Sequence, residues 1–210
     1  MSNRIFRWIL SHPWWVVVLT VLSIALAASG SRLLSFSNDY RMFFSEDNPQ
    51  LRAFEAKQNT YTKADNVLFV VSPRDGDVFT RDTLASIEWL TREAWQIPYS
   101  IRVDSVTNYQ HTEVEEDDLL VRDLVQDAAS LSDAELLQAR QVAVNEPLLI
   151  NRLISPDAAH TGVNITIQLP QKTLGEVPEV AVFSRELAAR LEQQNSNLDV
   201  HLTGLVIMND

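Results

Sequence analysis

The sequence predicts an α+β fold, in which one N-terminal transmembrane helix is followed by a ferredoxin-like extracytoplasmic domain. Three observations predict it. Residues 8–31 contain no Asp, Glu, Lys or Arg. The rest of the chain reads as β-α-β, an insert, and β-α-β, and two such units usually form an antiparallel sheet with helices on one face. All 28 acidic residues lie after position 34, within a chain of net charge −11.

The apolar segment is the basis for the predicted transmembrane helix, placed at residues 10–34. The stretch from Trp8 to Ser31 would be about 36 Å long as a helix, enough to cross a hydrocarbon core of about 30 Å. Pro13 lies near its start, where a missing N–H is tolerated. The segment is therefore long enough, on sequence alone, to span a bilayer.

The charges beside this segment predict its orientation. Arg4 and Arg7 precede it, while acidic residues follow it from Asp39 onwards. By the positive-inside rule, residues 1–9 are then cytoplasmic and residues 35–210 lie outside the cytoplasm. This predicts a protein of the bacterial inner membrane with the bulk of the chain in the periplasm.

A cleaved signal peptide is the alternative interpretation of the same segment. Ala25-Leu26-Ala27 fits a small-residue cleavage site, and the basic start also fits. The tryptophans at positions 8, 14 and 15 favour a retained helix, because Trp is enriched at membrane interfaces. Both interpretations place the rest of the chain outside the cytoplasm.

A connecting segment, residues 35–61, precedes the predicted domain. Asn48 is a good helix N-cap and Pro49 suits the first helical position, so a helix is expected from there to about Tyr61.

The first β-α-β unit opens the domain, which we place at residues 62–210. The apolar run Asn66–Ser72 predicts a buried strand. Thr80 caps a helix that continues to about Ile97 at helical apolar spacing. Residues 101–108 alternate in polarity, which predicts a second strand.

An inserted lobe, about residues 109–147, separates the two units. Residues 109–130 show no clear period. Ser132 and Glu135 form a capping box for a helix that runs to about Asn145, where Pro147 stops it. An apolar stretch, 148–154, and a turn at 155–157 lead out of the lobe.

The second β-α-β unit closes the chain. Gly162–Leu169 alternates as a strand, Val177–Gln194 has helical spacing, and Leu198–Val206 reads as a final strand.

Composition excludes several functions. The chain has no cysteine, so disulfides, thiolate metal sites and a cysteine nucleophile are excluded. Its five glycines form no phosphate-binding loop. The acidic charge of the domain disfavours a nucleic-acid partner.

The polar clusters do not predict a catalytic, cofactor or metal site. The acidic run at positions 113–118 (Glu113, Glu115, Glu116, Asp117 and Asp118) could hold Ca²⁺, but it lacks the spacing of a calcium loop and is better interpreted as a solvated loop. The histidines at 12, 111, 160 and 201 are scattered. Asp157 and His160 fit a turn better than an acid–base pair, and the sequon Asn164-Ile165-Thr166 lies in a strand. We therefore predict that the chain is not an enzyme, with no cofactor.

Several longer runs resemble a known family. They are FSNDYRMFFSEDNPQLRAFE after the apolar segment, DNVLFVVSPRDG, IPYSIRVDSVTNYQHTEVEEDDLLVRDLV, LSDAELLQAR, NEPLLINRLISPDAAHTGVNITIQLP and DVHLTGLVIMND. Together they resemble the N-terminal region of bacterial exporters of the RND superfamily, in the MMPL-like branch. The resemblance covers essentially the whole chain, with DYRMFFSEDNPQ its most specific part.

The resemblance implies a function as well as a fold. Residues 10–34 would be the first transmembrane helix of a proton-driven exporter of hydrophobic or amphiphilic compounds, and residues 35–210 much of its first periplasmic loop, with a porter-type domain. Proton-relay acids lie in later helices of the family, so none can be assigned here. The chain is then expected to be a truncated or partial exporter that is not transport-competent alone.

The implied partners follow from that interpretation. They are the lipid bilayer, the remaining transmembrane segments or other subunits, and a hydrophobic or lipid-like cargo. The alternative function is a stand-alone, membrane-tethered binding or adaptor module in the periplasm.

Overall fold

The structure is a computed structural model that describes residues 8, 10–30, 45, 48–60, 65–115, 118–170, 172–173 and 175–210. The chain divides into two compact units, Met1–Met42 and Phe43–Asp210.

The first unit contains helix α1, Pro13–Ser29, whose 17 residues are almost all apolar. It begins at Pro13 because His12 has non-helical angles of φ −131° and ψ 55°, and because Pro13 has no N–H to donate to the preceding turn. At about 1.5 Å per residue the helix is about 25 Å long, short of a hydrocarbon core of about 30 Å.

The predicted transmembrane helix at residues 10–34 is therefore wrong. Within the described ranges, no helix is both long enough and apolar enough to cross a membrane. Helix α1 is shorter than the uncharged stretch that predicted it, because the proline sets its start. Residues 31–34 of the predicted helix lie outside the described residues.

The second unit opens with helix α2, Pro49–Thr60. The side-chain Oδ1 of Asn48 accepts hydrogen bonds from the backbone N–H groups of Gln50 (2.9 Å) and Leu51 (3.3 Å). The predicted N-cap at Asn48 is confirmed.

The remaining elements follow the chain order β1 (Asn66–Pro73), α3 (Arg81–Ala94), β2 (Ser100–Asp104), β3 (Gln110–Glu115), β4 (Asp118–Asp123), a 3₁₀ turn (Ala128–Ser130), α4 (Asp133–Asn145), β5 (Thr161–Ile167), α5 (Glu176–Gln194), β6 (Leu198–Thr203) and α6 (Leu205–Met208). Thr80 caps α3 through the Thr83 N–H. Ser132 and Glu135 form the predicted capping box of α4.

The main sheet has four antiparallel strands in the order β2-β5-β1-β6. The strands of the two β-α-β units, β1, β2, β5 and β6, are numbered one to four in chain order. The sheet order is then 2-3-1-4, which is the arrangement of a ferredoxin-like sandwich. Strand β1 is central and pairs with β5 on one side and β6 on the other.

Alternate residues of the central strands form the hydrophobic core. In β1, Val67, Phe69 and Val71 are fully buried, and in β5, Val163 and Ile165 are fully buried as well. They belong to one cluster with apolar residues of α3 and α5. Helices α3 and α5 therefore cover this face of the sheet, and the intervening residues of β1 and β5 lie on the other face.

The inserted lobe contains a β-hairpin that the sequence did not predict. Strands β3 and β4 form a separate two-stranded antiparallel sheet, from Gln110↔Asp123 to Glu115↔Asp118. Its residues are mostly charged or exposed, so they lack the apolar alternation by which strands are recognised.

The end of β6 depends on a close approach to β1. Gly204 has φ +111°, and a Cβ at this position would lie 2.5 Å from the backbone oxygen of Asn66. The chain turns there into α6, which was predicted as a continuation of the last strand.

Gly204→Ala is expected to destabilise the domain by at least about 2 kcal/mol, because alanine combines an unfavourable positive φ with a backbone clash. Urea unfolding of the two proteins, followed by circular dichroism, measures this. Gly175→Ala is the control, since a Cβ there meets nothing closer than 3.9 Å. Equal midpoints for Gly204→Ala and wild type would contradict the described turn.

Candidate functional site

A cleft lies on the face of the main sheet opposite α3 and α5. Its floor is one row of residues across three strands, because Leu68 of β1 pairs with Asn164 of β5, and Asn164 pairs with Asp104 of β2. The cavity has a volume of about 490 Å³. We call it the sheet-face cleft.

Two segments outside the sheet form its walls. One wall is the loop after β2, which contributes Ser105, Asn108, Tyr109 and the first residue of β3, Gln110. The other is the segment after α4, which contributes Leu148, Leu149, Arg152 and Leu153. The second segment is fixed to the sheet because the Gly162 N–H donates to the Leu153 carbonyl at 2.8 Å.

Leucine side chains make one side of the cleft apolar. Leu149 is buried at 1% exposure and anchors its wall, whereas Leu148 is 56% exposed. Leu68 reaches the same wall, since a Cβ on Gly162 would lie 3.0 Å from Leu68 Cδ1 and 3.8 Å from Leu153 Cδ2. An apolar group that enters the cleft would therefore contact leucines from both the floor and the wall.

The charged side chains of the cleft are partly neutralised. Arg102 donates to Asp104 Oδ1 from Nε at 2.8 Å, and its terminal nitrogen lies 2.8 Å from the same oxygen. Arg152 is exposed and forms no ion pair with any residue in the described part of the chain. The cleft thus contains one neutralised pair and one cation.

The Tyr109 hydroxyl lies near the carboxylate of Glu146. Burial, together with a hydrogen bond to Glu146, raises the pKa of the Tyr109 hydroxyl. Glu146 also accepts from the Leu148 N–H at 3.1 Å. The Glu146 carboxylate therefore lies beside both walls of the cleft.

The hydroxyl of Ser105 is not placed for nucleophilic catalysis. It accepts from Thr91 at 2.9 Å and lies 2.8 Å from the Thr107 hydroxyl, within a buried group of three hydroxyls. A serine nucleophile needs an adjacent general base, and these partners are neutral. This group joins α3 to the loop after β2 and is structural.

The described residues of the acidic run at 113–118 belong to the two strands of the β3–β4 hairpin. Glu113 and Glu115 belong to β3 and Asp118 to β4, whereas Glu116 and Asp117 lie outside the described residues. No group of three or more His, Cys, Asp or Glu among the described positions could hold a metal ion.

The structure places the four histidines on separate elements. His12 stacks on Trp8, with ring centroids 5.3 Å apart. His111 lines a smaller cavity of about 200 Å³ between the hairpin and α4. His201 is in β6, opposite Val70.

His160 forms a contact that the sequence did not predict. Its Nδ1 lies 2.9 Å from the Ser72 hydroxyl. Asp157 does not complete a triad, because its Oδ1 accepts from the Ser155 hydroxyl at 2.6 Å and from the Ala159 N–H at 3.1 Å. These contacts form the turn that was predicted at Asp157 and His160.

The sequon residue Asn164 lines the sheet-face cleft. Its Oδ1 accepts from Asn66 Nδ2 at 2.7 Å across β5 and β1. An amide fixed inside a central strand is a poor acceptor for a bulky glycan. Asn164 was not predicted to be a cleft residue. It lies between Val163 and Ile165, which face the core, so its own side chain is on the opposite face of the sheet.

No family model matches the chain, and no curated protein matches it.

The Asp157 turn gives a titration that can be measured. The Ser155 hydroxyl, followed by the Ala159 N–H, lowers the pKa of Asp157. Because the folded pKa is depressed, this group's contribution to stability is present above the unfolded pKa and is lost as the pH falls through the folded pKa.

We expect Ser155→Ala to raise the pKa of Asp157 towards its usual value, because the hydrogen bond that favours the carboxylate is removed. Carboxyl ¹³C NMR titration measures this, with Asp199, whose pKa is lowered by Arg74, as the internal control. An unchanged Asp157 titration, or an equal shift at both residues, would contradict the described turn.

Proposed function

We propose that residues 65–210 are a porter-type domain, from an exporter of the RND superfamily in its MMPL-like branch, that takes up hydrophobic or amphiphilic compounds. The observation that carries the proposal is the sheet-face cleft, a concave site of about 490 Å³ with leucines on one side and charged groups on the other. A volume in this range is typical of small-molecule sites.

Two further observations support the proposal. The ferredoxin-like strand order agrees with the porter-type domain that the resemblance implies. The run from Asn145 to Pro170, one of the family-like runs, includes the leucine wall of the cleft as well as Asn164 on its floor. The residues that carry the resemblance are thus partly those that line the site.

The chemistry of binding follows from the lining. Each methylene that leaves water for the leucine side contributes about 0.8 kcal/mol. A polar head group would stay near Arg102, Asp104 and Arg152, where it keeps hydrogen-bonding partners and solvent. The cleft therefore favours a molecule with an apolar part and one polar end over a purely apolar or fully charged one.

In this proposal, the domain binds the compound but does not transport it. Transport would need the membrane-embedded part of the exporter and its proton-relay acids, which would belong to other segments. We place the domain on the periplasmic side of the bacterial inner membrane, as the resemblance implies. An adaptor function would not require a walled cleft, whereas a stand-alone binding module would use the cleft as a porter domain does.

A photoreactive twelve-carbon alkyl carboxylate tests the proposal. After irradiation with the full chain, we expect peptide mass spectrometry to find adducts on residues 148–153 and on β1. Leu148→Asp should lower labelling of these peptides several-fold, because it puts a carboxylate against the alkyl chain. Leu137→Asp is the matched control: Leu137 is 61% exposed, compared with 56% for Leu148, but lies on α4 outside the cleft.

Two results would contradict the proposal. One is labelling confined to the exposed apolar residues of α1. The other is equal labelling of wild type and Leu148→Asp in residues 148–153.

A further inference from the structure

The β3–β4 hairpin exposes a continuous apolar segment. Leu119, Leu120 and Val121 of β4 are 71%, 40% and 61% exposed. Single exposed leucines are ordinary, but a run of three in one strand exposes both faces of that strand. The neighbouring residues of the run are Asp118 and Arg122.

Among the residues that the structure describes, the outer edge of β4 also has no partner strand. The hairpin sheet there contains β3 and β4, and no backbone hydrogen bond joins Leu119, Leu120 or Val121 to any other described element. An exposed, apolar strand edge is a template for pairing with another strand.

We propose that β4 is a self-association edge, which pairs antiparallel with β4 of a second copy of this chain. The two-fold axis passes through Leu120, so that Leu120 lies opposite its own counterpart. Leu119 then lies opposite Val121, and Asp118 lies opposite Arg122, each twice.

The charge pattern identifies a second copy as the partner. Residues 118–122 read acidic, apolar, apolar, apolar, basic, and antiparallel pairing of this pattern with itself places opposite charges together. Opposite-charge cross-strand pairs contribute roughly 0.2–1 kcal/mol each, whereas like charges are destabilising. A register shifted by one residue would place Asp118 opposite Asp123, so the charges also select the register.

The pairing is expected to be weak. A five-residue strand pair buries far less than the roughly 1,200 Å² of a standard stable interface. Association should therefore depend on protein concentration and, because pairs of opposite charge set the register, on salt.

Disulfide trapping tests the geometry directly. The chain has no cysteine, so Leu120→Cys can form a disulfide only with a second copy. The Cα atoms of opposed residues in antiparallel strands lie about 4.5–5.5 Å apart, within the range of Cα–Cα distances for a disulfide. We expect Leu120→Cys in the full chain, kept in a mild detergent, to form dimers much faster than Leu137→Cys, an exposed control on α4.

Charge reversal tests the register and the partner. In the Leu120→Cys background, Asp118→Arg or Arg122→Asp alone should slow dimer formation about tenfold, because each places like charges together twice. A mixture of the two variants should regain the wild-type rate as a heterodimer, since both cross-strand pairs are then complementary.

Two outcomes would overturn the proposal. One is dimer formation by Leu120→Cys no faster than by Leu137→Cys, as expected if β4 binds a different protein or nothing. The other is a mixture that stays as slow as the single variants, which would show association without this register. Circular dichroism of each variant confirms that the slow ones are folded.

Discussion

The alternation of side chains along β1 determines the rest of the structure. Val67, Phe69 and Val71 point into the core with α3 and α5, which leaves Leu68 on the opposite face. Because β1 is paired on both sides, its neighbours must follow the same parity. One strand therefore builds the core with one set of residues and the floor of the sheet-face cleft with the other.

The sequence predicted most of the main sheet and its helices, for physical reasons that are local. An apolar run is visible in consecutive residues, and a capping residue such as Asn48 or Ser132 bonds backbone groups two or three positions away. The hairpin was missed because β3 and β4 are mostly polar or exposed. The transmembrane helix was predicted from the length of the uncharged segment and from its tryptophans, and it is wrong because the helix starts only at Pro13 and ends at Ser29.

The cleft could not be predicted from the sequence in the same way. Leu68 and Leu148 are 80 positions apart, and only the position of the segment after α4 brings them together. The acidic run and the scattered histidines stay separate from the cleft in the described structure, and no group of three or more of them could hold a metal ion there. Nearness in sequence was therefore a poor guide to the site, whereas the parity of β1 would have indicated its floor.

Intermolecular NOEs between a bound twelve-carbon carboxylate and the leucine methyls of the chain show whether the sheet-face cleft is the binding site. We expect NOEs from the alkyl chain to Leu68, Leu148 and Leu153, which the cleft brings together. NOEs to methyls of α1 alone, or to none of the three leucines in the bound state, would contradict this expectation.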